Sequence, residues 1–194
     1  MVYMIKISKS ELSDLAKSWF VVSLAFAIVM VGFYSFTSLF IGFAAAGFTV
    51  GIGFLAHELG HKFIAQHYGC FAEFKSYNNM LLLALVMSFF GFIFAAPGAV
   101  MIKGDLDRIR NGRIAAAGPI MSLLVAVLFF ILFLITPFKV IFIYGFIINS
   151  WLALFNLIPF SPFDGRSIYK WNKAVYIIMV AVAIIFTIFQ QSMR

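Results

Sequence analysis

From Ser18 to Ala56 the chain runs for 39 residues without one charged side chain, and the run stops at "HELGH", residues 57–61. A membrane-spanning helix needs about 20 apolar residues. The run is therefore too long for one crossing and fits two, with a break near "YSFTSLF" at 34–40. The rest of the chain has the same character: 64% of residues are hydrophobic, 11% are charged and the mean hydropathy is +1.06. A soluble domain carries about 25% charged residues, so the solvent of this chain must be largely lipid.

The net charge of +7 does not indicate nucleic acid. The basic residues sit in short segments between apolar stretches, where such charges orient a membrane protein and touch anionic headgroups. Cys70 is the one cysteine, which excludes an intrachain disulfide and a cysteine-rich metal site. The N-terminus does not read as a signal peptide, because its apolar run far exceeds an h-region.

Hydropathy and proline placement predict helices at about 18–36, 41–67, 114–136, 140–159 and 173–190. Pro137 closes the third, and Pro159 and Pro162 stop the fourth, since proline lacks the amide that continues a helix. Residues 80–102 are long enough to cross but contain Gly91 and Pro97-Gly98, both poor in a helix interior. Charge decides their placement. If 80–102 does not cross and the N-terminus is cytoplasmic, all of the 14 basic residues except Lys139 and Arg194 lie on the cytoplasmic side. If it crosses, the cluster from Lys103 to Arg113 leaves that side and the bias largely disappears. The positive-inside rule thus favours a segment that dips in and returns. The expected fold is an all-α polytopic membrane protein of about five transmembrane helices, with a re-entrant or β-hairpin segment near 68–103. It forms a single domain over 1–194: a cytoplasmic tail (1–17), a peripheral first helix (18–40), a core (41–166) and a peripheral last helix (167–194).

Two of the seven acidic residues, Glu58 and Asp164, lie in or beside predicted spans. A carboxylate at the centre of a spanning helix costs about 2.5–3.5 kcal/mol on insertion scales, so it is a functional candidate by default. His57 and His61 are four residues apart, roughly 40° apart on one helix face. Two neutral imidazoles so placed can take two positions of a tetrahedral metal. Glu58 flanks that face, within reach of a metal-bound water. This is the H-E-x-x-H pattern of zinc metalloproteases.

Catalytic zinc usually takes three protein ligands, and two residues compete for the third place. His67 has the spacing of a longer known pattern, but that pattern needs a glycine at 64, where this chain has Ile64. On a continuing helix His67 faces about 240° away from His61. Asp164 follows two prolines in "NLIPFSPFDGR" (156–166) and precedes Gly165. Its side chain can turn back into the bundle on the same side as His61, and it is the favoured ligand.

With "HELGH" (57–61), "AAAGPIMS" (115–122) and "NLIPFSPFDG" (156–165), the chain resembles the site-2 protease family of intramembrane zinc metalloproteases over roughly residues 40–166. The resemblance implies one zinc per chain on His57, His61 and Asp164, with Glu58 as general base. It also implies a catalytic core of the helices at 41–67, 114–136 and 140–159. Asn156 matches an asparagine that holds substrate or the oxyanion. Gly118-Pro119 resembles a helix-start signal that permits close packing. Ser122 departs from the asparagine that many members carry there. The implied partners are a transmembrane helix of a membrane-protein substrate and the lipid bilayer; the charge bias places the site toward the cytoplasm. The rival readings are a membrane metal-ion transporter or channel, whose paths are also lined by intramembrane His and acidic residues, and a catalytically silent membrane scaffold.

Overall fold

The computed structural model describes residues 6–93 and 97–193. Helix α1 (Lys9–Val31) starts upstream of the apolar run, inside the stretch expected to be a tail. Its start is a capping box: Ser8 Oγ accepts from the Glu11 amide at 3.1 Å, and the Glu11 carboxylate accepts from the Ser8 amide at 3.4 Å. Gly32, at φ +68°, closes the helix.

Helix α2 (Phe36–Ala46) passes through a π-turn (Gly47–Gly51) into α3 (Ile52–His67), so the chain returns as one 32-residue rod. Lys6 and Gln66 then meet backbone to side chain, at 3.2 and 3.1 Å. Gly69, at φ +77°, reverses the chain into strand β1 (Phe71–Ser76).

Strand β1 pairs antiparallel with β2 (Gly98–Lys103), from Phe71 opposite Lys103 to Ser76 opposite Gly98. Between them lies α4 (Asn78–Ser88), 11 residues and hence about 16 Å long, far short of a hydrocarbon core of about 30 Å. Antiparallel pairing brings the chain back to where it left. Of the re-entrant or β-hairpin segment expected near 68–103, the paired strands are present, with residues 94–96 outside the described residues.

Helix α5 (Arg108–Ile135) begins at Asp107, whose Oδ1 accepts from the Arg110 amide at 2.7 Å. Six residues ahead of the expected start, four of them polar, are therefore helical. Gly118-Pro119 lies in the interior of α5 and does not start it. Helix α6 (Lys139–Asn156) follows, and then a short α7 (Gly165–Trp171) that hydropathy could not reveal. Helix α8 (Lys173–Phe189) is capped by Asn172.

Among the described residues four helices are long and apolar enough to cross a membrane: Lys9–Val31, Phe36–His67, Arg108–Ile135 and Lys139–Asn156. About five were expected; α8, at 17 residues, falls just short of that length. These helices fit a membrane protein. Helix α5 packs between α3 and α6, with Phe129, Phe142 and Phe146 filling the end away from the sheet.

The polar interior near the sheet holds an ion pair the sequence did not suggest. Lys62 and Glu11 are each 1% exposed, with Nζ 2.6 and 2.5 Å from the two carboxylate oxygens. Lys62 also donates to the Ala72 carbonyl, and Glu11 accepts from the Phe74 amide. The network ties α1 and α3 to β1.

Candidate metal centre

His57, Glu58 and His61 lie one turn and more past the π-turn, on the buried side of α3. Helix α5 approaches that face closely because two glycines allow it. A Cβ at Gly60 would sit 2.9 Å from the Ala117 carbonyl oxygen, and a Cβ at Gly118 would sit 2.2 Å from His61 Nε2 and 2.7 Å from His57 Nε2. Gly118 was expected to serve packing alone. It also clears the space where the two imidazoles point.

Helix α5 sets the orientation of both rings. His61 Nδ1 lies 2.8 Å from the Ile114 carbonyl. A carbonyl only accepts, so Nδ1 carries a proton, and in the neutral ring Nε2 keeps its lone pair. His57 Nδ1 lies 2.9 Å from Ser122 Oγ, and that hydroxyl donates to the Gly118 carbonyl at 3.4 Å. With that hydroxyl donating to Gly118, its lone pair accepts a hydrogen bond from His57 Nδ1–H, and in the neutral ring Nε2 is then unprotonated as well. Ser122 is thus the residue that fixes the His57 tautomer. The available signal was its position one turn after Gly118 on an otherwise apolar helix.

Asp164 reaches the same point from the other side. After α6 ends at Asn156 the chain folds back, and a Cβ on Gly165 would lie 2.2 Å from the Leu157 carbonyl oxygen. Asp164 leads into α7, its carbonyl accepting from the Ser167 and Ile168 amides. Helix α7 docks on the start of α5, where Asn111 Nδ2 donates to Ser167 Oγ and Arg108 Nε to the Lys170 carbonyl. Asp164 Oδ2 lies 3.3 Å from His57 Nε2 and 3.2 Å from His61 Nε2, and the two Nε2 atoms are 3.1 Å apart.

Three ligand atoms thus gather within 4.8 Å of one another. Two of them are imidazole lone pairs and the third is a buried carboxylate oxygen that accepts no hydrogen bond among the described residues. Such a cluster of electron-rich atoms repels itself until a cation joins it. Two imidazoles and a carboxylate suit zinc, and the Nδ1 hydrogen bonds supply the supporting contacts that metal-bound histidines require. The residues present fit the ion.

Other sequence-derived candidates lie elsewhere. Asn156 donates to the Leu152 carbonyl one helical turn back, at 2.9 Å, an ordinary contact of a helix interior. His67, exposed at the end of α3, stacks edge-on against Tyr68 and is not among the three gathered ligands. Glu58 is buried on the flank of the cluster, with the Val100 backbone of β2 against its carboxylate.

Known proteins agree with this chemistry. The chain is 38% identical over 180 residues to "Putative zinc metalloprotease MJ0611" of Methanocaldococcus jannaschii, covering 90% of this chain and 91% of that one. This chain belongs to the zinc metalloproteases. The metalloprotease is also 29% identical over 126 residues to "Zinc metalloprotease MJ0392" of the same organism, across 61% of its own length and 31% of the relative's. No protein-family model and no solved structure matches it.

Proposed function

We propose that this zinc metalloprotease acts within the membrane, as a site-2-type endopeptidase that hydrolyses a peptide bond in or near a transmembrane segment of a membrane-protein substrate. One observation carries the reading. The ligand set His57–His61–Asp164 and the neighbouring Glu58 sit on a 32-residue apolar rod and the loop beside it, and insertion energy opposes such residues there unless they serve a purpose. Zinc, when bound, polarises the scissile carbonyl and acidifies water. The chain's residues do the rest. Ser122 and the Ile114 carbonyl hold the imidazoles in the ligating tautomer. Glu58 takes a proton from the attacking water and delivers it to the departing amide nitrogen.

A helical substrate hides its peptide bonds and must unwind before cleavage. We propose that the unwound stretch adds as a strand to β2. The outer edge of β1 is already taken, since Phe74 N–H donates to Glu11 while Ala72 C=O accepts from Lys62 and Gln66. Antiparallel alternation then turns the backbone groups of Val100 and Ile102, their partners in register, toward the other side of the sheet. That edge passes Glu58. The N-terminus and the site are assigned to the cytoplasmic side, on the charge bias.

The test is zinc content and peptide cleavage measured together in detergent-solubilised protein. Wild type is expected to hold one zinc per chain and to cleave. Glu58→Gln should keep the zinc and lose cleavage, Asp164→Ala should lose both, and His67→Ala should keep both. A folded wild-type protein that takes up no zinc overturns the reading. So does metal flux in proteoliposomes that survives Glu58→Gln, which would make the chain a transporter.

A further inference from the structure

The π-turn at Gly47–Gly51 is the one interruption of the rod that carries His57 and His61, and side chains hold it from both sides. A π-turn widens the helix by a residue and disturbs the regular amide-to-carbonyl ladder; such turns are rare and concentrate at functional sites. Here the Gly47 carbonyl accepts from Trp19 Nε1 of α1 at 3.1 Å. The Thr49 carbonyl accepts from Asn149 Nδ2 of α6 at 3.4 Å, and the Ala45 carbonyl from Thr49 Oγ1 at 2.8 Å.

Glycines make room for both clamps. A Cβ on Gly51 would lie 2.3 Å from Trp19 Nε1, and one on Gly53 would lie 1.8 Å from Asn149 Oδ1. Asn149 is fully buried, and its second amide proton goes to the Gly145 carbonyl at 2.9 Å. Its Oδ1, pressed over Gly53, receives no hydrogen bond among the described residues. A buried acceptor left without a donor is unfavourable, so stability alone does not account for an asparagine at this position. Gly53 stands one helical turn before His57, on the same face.

We propose that Asn149, with Trp19 opposite it, is a positioning residue for the metal centre. The two hold the π-turn open and thereby set the rotation at which α3 presents His57 and His61 to Asp164. Relaxing the turn to α geometry changes the phase by about one residue, roughly 100°. Helix α2 on one side and the Ser122 and Ile114 contacts on the other cannot both keep their places through such a rotation. The proposal rests on the zinc reading of the site.

The experiment measures zinc affinity by chelator competition, and thermal unfolding without metal, on the full chain in detergent. The variants are Asn149→Leu, Trp19→Phe and, as control, Ser150→Ala. Ser150 is the buried neighbour of Asn149 and bonds only within its own helix, to the Phe146 carbonyl at 2.7 Å. Asn149→Leu is expected to unfold no earlier than wild type and yet to bind zinc about tenfold more weakly, the lower end of what supporting residues around a metal contribute. Trp19→Phe should weaken binding in the same direction, and Ser150→Ala should leave it unchanged. Wild-type affinity in both clamp variants overturns the positioning role and leaves the zinc reading standing. Failure of both variants to fold also overturns it, because the clamp would then serve the fold alone. Absence of zinc binding in wild type would remove both readings together.

Discussion

Ser122 shows how much a single hydroxyl can decide in this site. It accepts a hydrogen bond from His57 Nδ1–H and donates its own to the Gly118 carbonyl, and without it His57 has no fixed tautomer. Replacing it by alanine leaves the imidazole free to protonate Nε2. Ser122→Ala is therefore expected to bind zinc about 10- to 100-fold more weakly, with wild-type thermal stability in the metal-free state. Ser122→Asn, whose side-chain oxygen can accept the same proton, should restore most of the affinity. A chelator competition across the three proteins checks this, and equal affinities would remove Ser122 from the site. Gly118 is as exacting. A methyl group 2.2 Å from His61 Nε2 should abolish zinc binding in Gly118→Ala, even though alanine favours helix, and metal analysis of the folded variant is the check.

The two-stranded sheet has inequivalent edges. Strand β1 is closed by Glu11, Lys62 and Gln66, whereas the pairing register turns the Ile102 amide toward the opposite side. Proline at an unpaired strand position removes a donor without breaking the ladder. Ile102→Pro is thus expected to slow cleavage of a helical substrate by about 2- to 10-fold, the equivalent of one backbone hydrogen bond, while leaving zinc content unchanged. Kinetics on a helical and on an already extended substrate measure it, and the extended one should be affected as well if both bind as a strand. An unchanged rate on both would rule out strand addition at β2.

Across the molecule, the Glu11–Lys62 pair couples the first helix to the helix that carries the site. Both groups are buried and fully hydrogen-bonded. Lys62→Met strands a carboxylate in the interior and should destabilise the protein by about 3–5 kcal/mol. Removing both charges in Glu11→Leu/Lys62→Met should recover most of that loss, because a well-packed apolar pair avoids the desolvation cost. Unfolding in detergent of the single and double variants reads the difference. A double variant as unstable as the single one would mean that the pair itself, and not the stranded charge, supports the fold.

Much of this architecture was legible in sequence order. The 39-residue uncharged run is too long for one spanning helix of about 20 residues, and it is shared between two helices long and apolar enough to cross, Lys9–Val31 and Phe36–His67. Helical periodicity put His57 and His61 on one face, and two prolines with Gly165 let Asp164 turn inward. Those are local properties, fixed by residue type and spacing. The partners of Nδ1, the exclusion of a Cβ at Gly118, the clamp on the π-turn and the burial of Lys62 against Glu11 were not legible. Each joins residues separated by 28 to 100 positions, and no local propensity encodes such a pairing. The start of α1 was read wrongly for a related reason: hydropathy registers the apolar run but not the capping box, whose worth depends on Glu11 also finding Lys62. The sequence by itself determined which residues can hold a metal. Only the packing of α5 and the α6–α7 loop against α3 decided that three of them meet, because convergence is a property of helices in contact and not of any one helix.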